Sequence, residues 1–247
     1  MPLAGAAWRS DFKDALMTTD RPLRLFFIRH GQTENFDNPP FNGWRDAQLT
    51  EVGRRQLRDV AAGLTGIGLE AVYSSDLSRA VYGGERLAEA AGLSLTIDPQ
   101  WREMHFGDWE GLTYREIAAE SPDKVKKIFA HDEEGEHMTF PGGESSATFA
   151  RRIEAALAAL RERHSDGGRV AVVCHGGVCK VLWGLLLKIP PHVAWRTVRQ
   201  DFAAVNVADF HSSGMVVAHL VNGYLGPEGY HQNGPGFDRL AGNDLFS

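Results

Sequence analysis

Three segments of this chain pair an apolar run with residues that bind anions or move protons. Residues 25–28 lead into Arg29-His30-Gly31, residues 71–73 into Ser74-Ser75-Asp76 with Arg79 beyond, and residues 170–174 into His175-Gly176-Gly177. Each run reads as a buried strand that ends on a polar, cationic residue beside a turn or helix start. In open α/β sheets, ligands bind at the carboxyl ends of the strands. Three such ends would bring His30, His175, Arg29 and Arg79 to one rim. Two guanidinium groups suit a phosphoryl group, because each presents a planar fork of donors and stays charged. Gly31, Gly176 and Gly177 let backbone approach an oxyanion closely. The arginines disfavour protonation of the imidazoles, and a neutral histidine is a competent nucleophile. Taken alone, a histidine at a strand end is more often a side chain satisfied by a backbone hydrogen bond than a catalytic one. Agreement of three segments in placement and chemistry favours a site.

The elements that must position these residues are legible in outline. Thr50 is a plausible cap for a helix to about Leu64, with Leu57, Val60, Ala61 and Leu64 on one face. Helices are expected at about 77–91, near 114–120, after Ser145, and at 178–187, where Pro190-Pro191 stops the last. Residues 203–210 and 215–221 flank Ser212-Ser213-Gly214 and read as a hairpin. The pattern implies a three-layer α/β/α sandwich whose sheet is mostly parallel, with an antiparallel edge contribution. The expected organisation is a lead-in at 1–22, one domain at 23–222 and a Gly/Asn/Pro-rich loop-like tail at 223–247. Residues 99–143 read as an insertion over the active site.

Composition narrows the function classes. Of 247 residues, 26 are Lys or Arg and 32 Asp or Glu, a net charge of -6 that argues against nucleic acid or an anionic membrane as partner. Cys174 and Cys179 suggest buried free thiols and not a disulfide framework or zinc site, and a reducing cytoplasm fits. No secretory leader and no bilayer-spanning stretch is read from the sequence.

Four ordered motifs carry a family resemblance. They are Arg29-His30-Gly31; Ser74-Ser75-Asp76-Leu77-x-Arg79-Ala80; Arg102-Glu103 before Phe106-Gly107-Asp108-Trp109-Glu110-Gly111; and His175-Gly176-Gly177. Together they resemble the histidine phosphatase superfamily, the phosphoglycerate mutase-like proteins, across about residues 23–210. The resemblance implies His30 as a phosphorylated nucleophile, with Arg29, Arg79 and His175 holding the phosphoryl oxygens. It implies Glu103 as proton donor to the leaving oxygen, and Asn42 and Gly43 as further phosphate contacts, with Gly176 beside them. Gly142-Gly143-Glu144-Ser145 also matches a motif of the phosphatases, although a loop and helix cap explain it as well. Family members often carry an asparagine six residues after the nucleophile. Phe36 stands there in this chain, which makes the neighbouring Asn35 or Asn38 a substitute, and Asn35 the candidate.

The implied reaction is metal-independent hydrolysis of a small phosphorylated metabolite, with no cofactor. Asp108, Glu110 and Glu116 are weaker acid candidates. Phosphoglycerate mutase-type transfer is the alternative; the segment HFGDWEGLTYRE looks like the phosphatase branch. A non-enzymatic phosphoester- or protein-binding module is a third reading, disfavoured because binding needs neither nucleophile nor acid. Trp101, His105, Trp109 and residues 131–137 either shape the pocket wall or belong to core and surface. A homodimer is compatible with the fold.

Overall fold

A computed structural model of the chain describes residues 21–128, 139–226 and 229–231. The expected lead-in up to residue 20, residues 131–137 and the end of the tail lie outside the described residues. A seven-stranded sheet organises the rest. Its strands are β1 (Leu23–Arg29), β2 (Ala71–Ser74), β3 (Leu95–Ile97), β4 (Gly168–Cys174), β5 (Val205–Phe210), β6 (Val216–Gly226) and β7 (Gly229–His231), in spatial order β3-β2-β4-β1-β5-β6-β7. The first four strands of that order pair in parallel, and β5, β6 and β7 add antiparallel pairs.

The apolar runs of β1 and β4 look continuous, yet they divide between two cores with the strand period of two. Leu23, Leu25 and Phe27 join Val170, Val172 and Cys174 on one face. Phe26 and Ile28 join Ala171 and Val173 on the other. Helices α1 (Glu51–Gly63) and α2 (Ser78–Ala91) cover that second face through Leu57, Val60, Ala80 and Leu87. The first face is covered by α5 (Ser146–Arg163), α6 (Gly176–Leu187) and α7 (Pro191–Thr197). The three layers expected from the sequence are therefore present.

Among the described residues between β3 and α5, the elements are short and the packing is aromatic. It holds 3₁₀ turns at Pro99–Trp101 and Gly107–Trp109, then α3 (Tyr114–Glu120) and α4 (Pro122–Ile128). Phe106 packs edge-on to Phe41 and Phe140, with centroids 5.1 and 4.8 Å away, and Trp109 lies 5.3 Å from Phe140. Trp101 and Trp109 are thus core, not pocket wall.

Helix starts follow the chemistry of their caps. Thr50 accepts from the Gly53 N–H at 3.0 Å and Ser145 from Thr148 at 3.0 Å, while Thr113 and Glu116 form a reciprocal capping box. Leu77 cannot cap α2, so Asp46 reaches across from a loop and accepts from both Ser78 N and Ser78 Oγ, at 2.9 and 2.8 Å. Several elements differ from expectation, the unanticipated helices α4 and α7 among them. β3 was not anticipated, because only Leu95 of its three residues packs on the core. The tail's first residues are not loop: β6 runs on to Gly226, and β7 pairs back along it.

Candidate active site

The three strand ends meet as neighbours. β4 lies between β2 and β1, with Ser74 in register with Val173, and Arg29 with Cys174. The ladder continues one step past the strands, for His30 N donates to Cys174 O and Ser75 N to Val173 O, both at 3.0 Å. From the other side, Ala203 N donates to His30 O at 2.9 Å, with Ala203 held at φ 57°. His30 is therefore fixed by backbone on both flanks before its side chain makes any contact. Gly31 next to it cannot be replaced cheaply: a Cβ there would lie 2.2 Å from Gly53 O at the start of α1.

The His30 ring is buried, and its Nδ1 lies 2.8 Å from Gly31 O. A carbonyl only accepts, so Nδ1 carries the proton and Nε2 is left with a lone pair. Burial, with Arg79 and Arg29 beside it, drives the imidazole well below its ordinary pKa and keeps it neutral. His175 stands 5.3 Å away between ring centroids, fully buried, and burial with Arg79, His30 and Arg29 lowers it likewise.

Both arginines are held by carbonyls instead of carboxylates. Arg79 donates to Arg45 O at 2.7 Å and Gly43 O at 2.6 Å, and burial pulls its pKa to about 10. It stays cationic at neutral pH. Arg29 donates to Gln200 O at 2.6 Å and lies 4.2 Å from the Phe202 ring centroid. Among the described residues, buried side-chain nitrogens without a partner are Arg29 Nε, Arg79 Nε, His175 Nδ1, Arg86 Nε and Trp101 Nε1. Three of the five belong to this cluster. Unpaired buried donors are costly, and donors gathered around a neutral histidine are what an oxyanion would satisfy.

Glu103 joins from the irregular segment. Its carboxylate accepts from Met104 N and, across the site, from Gly177 N at the start of α6, both at 2.9 Å. The carboxylate also acts electrostatically on Arg29 and Arg79. Its backbone is clamped: Glu103 O accepts from Trp44 Nε1 at 2.8 Å and from Arg152 Nη2 at 3.1 Å. Arg152 also donates to Gln100 O and Arg102 O and forks onto Glu144, whose Oε2 accepts from His105 N. The Glu144 of the glycine-rich motif thus positions the acid's loop, while Ser145 next to it caps α5.

Not every expected residue arrives here. His30, Arg29, Arg79, His175 and Glu103 cluster as expected, and Gly176 lies against Arg29, a Cβ on it falling 3.3 Å from Arg29 Nε. Gly43 serves through its carbonyl, as a holder of Arg79, and Asn42 O closes a turn with Arg45 N. Asn35 is exposed, with φ 57° and its carbonyl bound by Asn38 N; Phe36 beside it is also exposed. Glu110, expected as a weak acid candidate, accepts from Trp44 N, Arg45 N and Phe106 N and so ties down the loop that holds Arg79. Asp108 and Glu116 are exposed, and Glu116 closes the α3 capping box. His105 stacks on Trp44, with centroids 4.6 Å apart. Sequence reasoning did not assign Ser75, Phe202, Gln200 or Trp195 a role. Only Ser75 carried a signal, through its place at a strand end.

The arrangement offers a neutral nucleophile, a positively charged oxyanion cradle and a carboxyl group. No group of three or more His, Cys, Asp or Glu among the described residues is placed to hold a metal ion. No helix among them is long and apolar enough to cross a membrane. Comparison with known proteins agrees with the fold. A bifunctional protein of Mycobacterium tuberculosis is 34% identical over 207 residues, covering 83% of this chain. The chain spans about half (55%) of that relative's length. A probable phosphoglycerate mutase of Yersinia enterocolitica is 31% identical over 218 residues, 88% of this chain and 99% of that protein. The solved structure of a mycobacterial glucosyl-3-phosphoglycerate phosphatase superposes with a TM-score of 0.71 at 29% identity, covering 82% of this chain and 99% of that one. The family model for the histidine phosphatase superfamily (branch 1) matches residues 25–223, and the chain belongs to that superfamily.

Proposed function

We propose that the chain is a metal-independent phosphomonoesterase that hydrolyses a small phosphorylated metabolite through a phosphohistidine at His30. The observation that carries this reading is the set of unpartnered nitrogens of Arg29, Arg79 and His175 around a neutral His30. In the first displacement, Nε2 of His30 attacks phosphorus in line. The P–O bond to the leaving group breaks as the Glu103 carboxyl gives that oxygen its proton. The guanidinium groups and His175 stabilise the equatorial oxygens, the task metal ions perform in other phosphoryl-transfer enzymes. In the second displacement, the Glu103 carboxylate takes a proton from water as that water attacks phosphorus and the P–N bond breaks. Inorganic phosphate leaves, and both residues return to their starting protonation.

The test is phosphate release from p-nitrophenyl phosphate and a panel of phosphorylated metabolites, with and without EDTA. Wild type is expected to turn over in EDTA and to trap an acid-labile phosphoryl adduct that His30→Ala lacks. Turnover unchanged in His30→Ala would overturn the covalent route. The likeness to a probable phosphoglycerate mutase favours a second reading, transfer back to another hydroxyl. Rapid formation of 2-phosphoglycerate from 3-phosphoglycerate, without phosphate release, would select it. The small-molecule class is inferred from relatives such as the glucosyl-3-phosphoglycerate phosphatase, and the panel decides its identity.

A further inference from the structure

His175 has two ring nitrogens with different fates. Nε2 lies 2.9 Å from Ser75 Oγ, and Nδ1 is buried without a partner. Both side chains are fully buried. Ser75 Oγ also accepts from the Leu77 N–H, 3.3 Å away. That group is a donor, so it fills a lone pair of the hydroxyl and leaves the hydroxyl proton needing an acceptor. A buried hydroxyl proton without an acceptor costs on the order of 1–3 kcal/mol. His175 Nε2 is the acceptor within reach, provided that it carries the lone pair.

We propose that Ser75 is a positioning residue that locks His175 in its Nδ1–H tautomer, presenting an N–H and not a lone pair to the phosphoryl oxygens. The inference rests on the phosphomonoesterase reading for its function, but its structural half stands independently. A lone pair aimed at an anionic oxygen repels it, whereas an N–H from a neutral ring attracts it. The tautomer of an imidazole is set by whatever its other nitrogen bonds to, and here that is Ser75.

The consequence is a division of labour between two rings of the same tautomer. His30 is held at Nδ1 by Gly31 O and keeps a lone pair at Nε2. His175 is held at Nε2 by Ser75 and keeps a proton at Nδ1. The same proton inventory therefore yields a nucleophile in one ring and a donor in its neighbour. Which one a ring becomes depends on whether an acceptor or a donor anchors it, and not on its pKa.

The test is a long-range 1H–15N spectrum of the full chain labelled with 15N-histidine, recorded at pH 7.5. The His175 signals are assigned by their loss in His175→Asn. Wild type should show a pyrrole-type Nδ1 and a pyridine-type Nε2 for His175. Ser75→Ala should lose that pattern and lower kcat on p-nitrophenyl phosphate about 10- to 100-fold, the range of one hydrogen bond to a charged group. Ser75→Thr, which keeps the hydroxyl, should restore both. A pyrrole-type Nε2 for His175 in wild type would overturn the proposal even if neither Ser75 variant folds. So would an unchanged His175 pattern in folded Ser75→Ala. A wild-type protein with the expected tautomer but no phosphatase activity would instead sink the phosphomonoesterase reading and leave the lock standing.

Discussion

The site has two halves built on different principles. The phosphoryl half grows from the ends of β1, β2 and β4, where ladder hydrogen bonds fix His30 and Ser75 and backbone carbonyls fix both arginines. The acid half is a stretch of loop and 3₁₀ turn, and side chains hold it: Arg152 and Trp44 bind Glu103 O, Glu144 binds His105 N, and Glu110 binds the facing loop. The first half depends on sheet register, which no single surface substitution alters. The second depends on a few partly buried charges. On the proposed chemistry, variation is tolerated unevenly: the cradle would serve any phosphate ester, while the segment beside the leaving group would change with it.

If the halves divide the work in this way, removing the nucleophile should outweigh every other change. His30→Ala is expected to lose at least about 10⁴-fold in kcat on all phosphate esters alike, the scale of losing a covalent nucleophile. Phosphate-release assays on aryl and alkyl esters check it. A loss confined to one ester class would break the comparison, because the cradle side would then be sensing the leaving group.

The acid half should show the opposite signature. Glu103→Gln is expected to cost about 10²- to 10⁴-fold on alkyl phosphates, whose departing oxygen needs a proton, and far less on p-nitrophenyl phosphate. Gly177→Ala sharpens this, because it leaves the carboxylate in the sequence but displaces it. Its Cβ would fall 2.2 Å from Glu103 Oε1 and 2.9 Å from the Trp195 ring. The same alkyl-selective loss is expected, and equal losses on both ester classes would show that Glu103 is not the proton donor.

The contrast also explains what the sequence disclosed. Strand ends could be read because an apolar run followed by Arg-His-Gly is a local pattern, and sheet topology then did the assembling. Arg79 was found through its motif, but its anchoring on Gly43 O and Arg45 O was not, since any residue offers a carbonyl. Glu144 and Arg152 meet at 2.8 Å though eight apart in sequence, in a fork that depends on how the chain enters α5. Asn35 was expected from its closeness to Phe36 in sequence. It sits in a left-handed turn within an exposed stretch, where no regular element fixes its side chain. Side-chain identity was thus readable where backbone geometry is regular, and unreadable where one side chain holds another.

Breaking the clamp should lower stability as well as activity. In Arg152→Ala, Glu144 keeps its charge in a mostly buried place, with 13% of its side chain accessible, and loses its fork partner. Destabilisation of about 3 kcal/mol is expected. It would appear in urea titration as a shifted midpoint at unchanged slope. Activity on alkyl phosphates should fall further than on p-nitrophenyl phosphate. Arg24→Ala offers the control, since its pair with Asp209 lies at the start of β1, at the other end of the strand from His30. Equal substrate-dependent losses in both variants would mean that the clamp acts only through global stability.

The smallest effect tests whether the cradle is as desolvated as its geometry implies. Burial, with the arginines, depresses His30 and His175 well below the ordinary histidine value of about 6.5. Between the folded and unfolded values, the unfolded chain binds protons that the folded chain refuses. Stability therefore rises with pH in that window, and on acidification it begins to fall below about pH 6.5. Each histidine contributes a slope of about 1.4 kcal/mol per pH unit there, and nothing above it. Burial lowers His164, at the other end of the sheet, in the same direction, so the total slope alone does not isolate the site. Asp76 and Asp209, held low in the fold, act in a more acidic range and leave pH 5–6.5 to the histidines. Replacing His30 with Asn, which does not titrate, should remove about one proton's worth of slope in that range, and His175→Asn another. Denaturant midpoints at half-unit pH steps measure it. If His30→Asn left the slope intact, His30 would titrate alike folded and unfolded, and the cradle would be as wet as the loop that faces it.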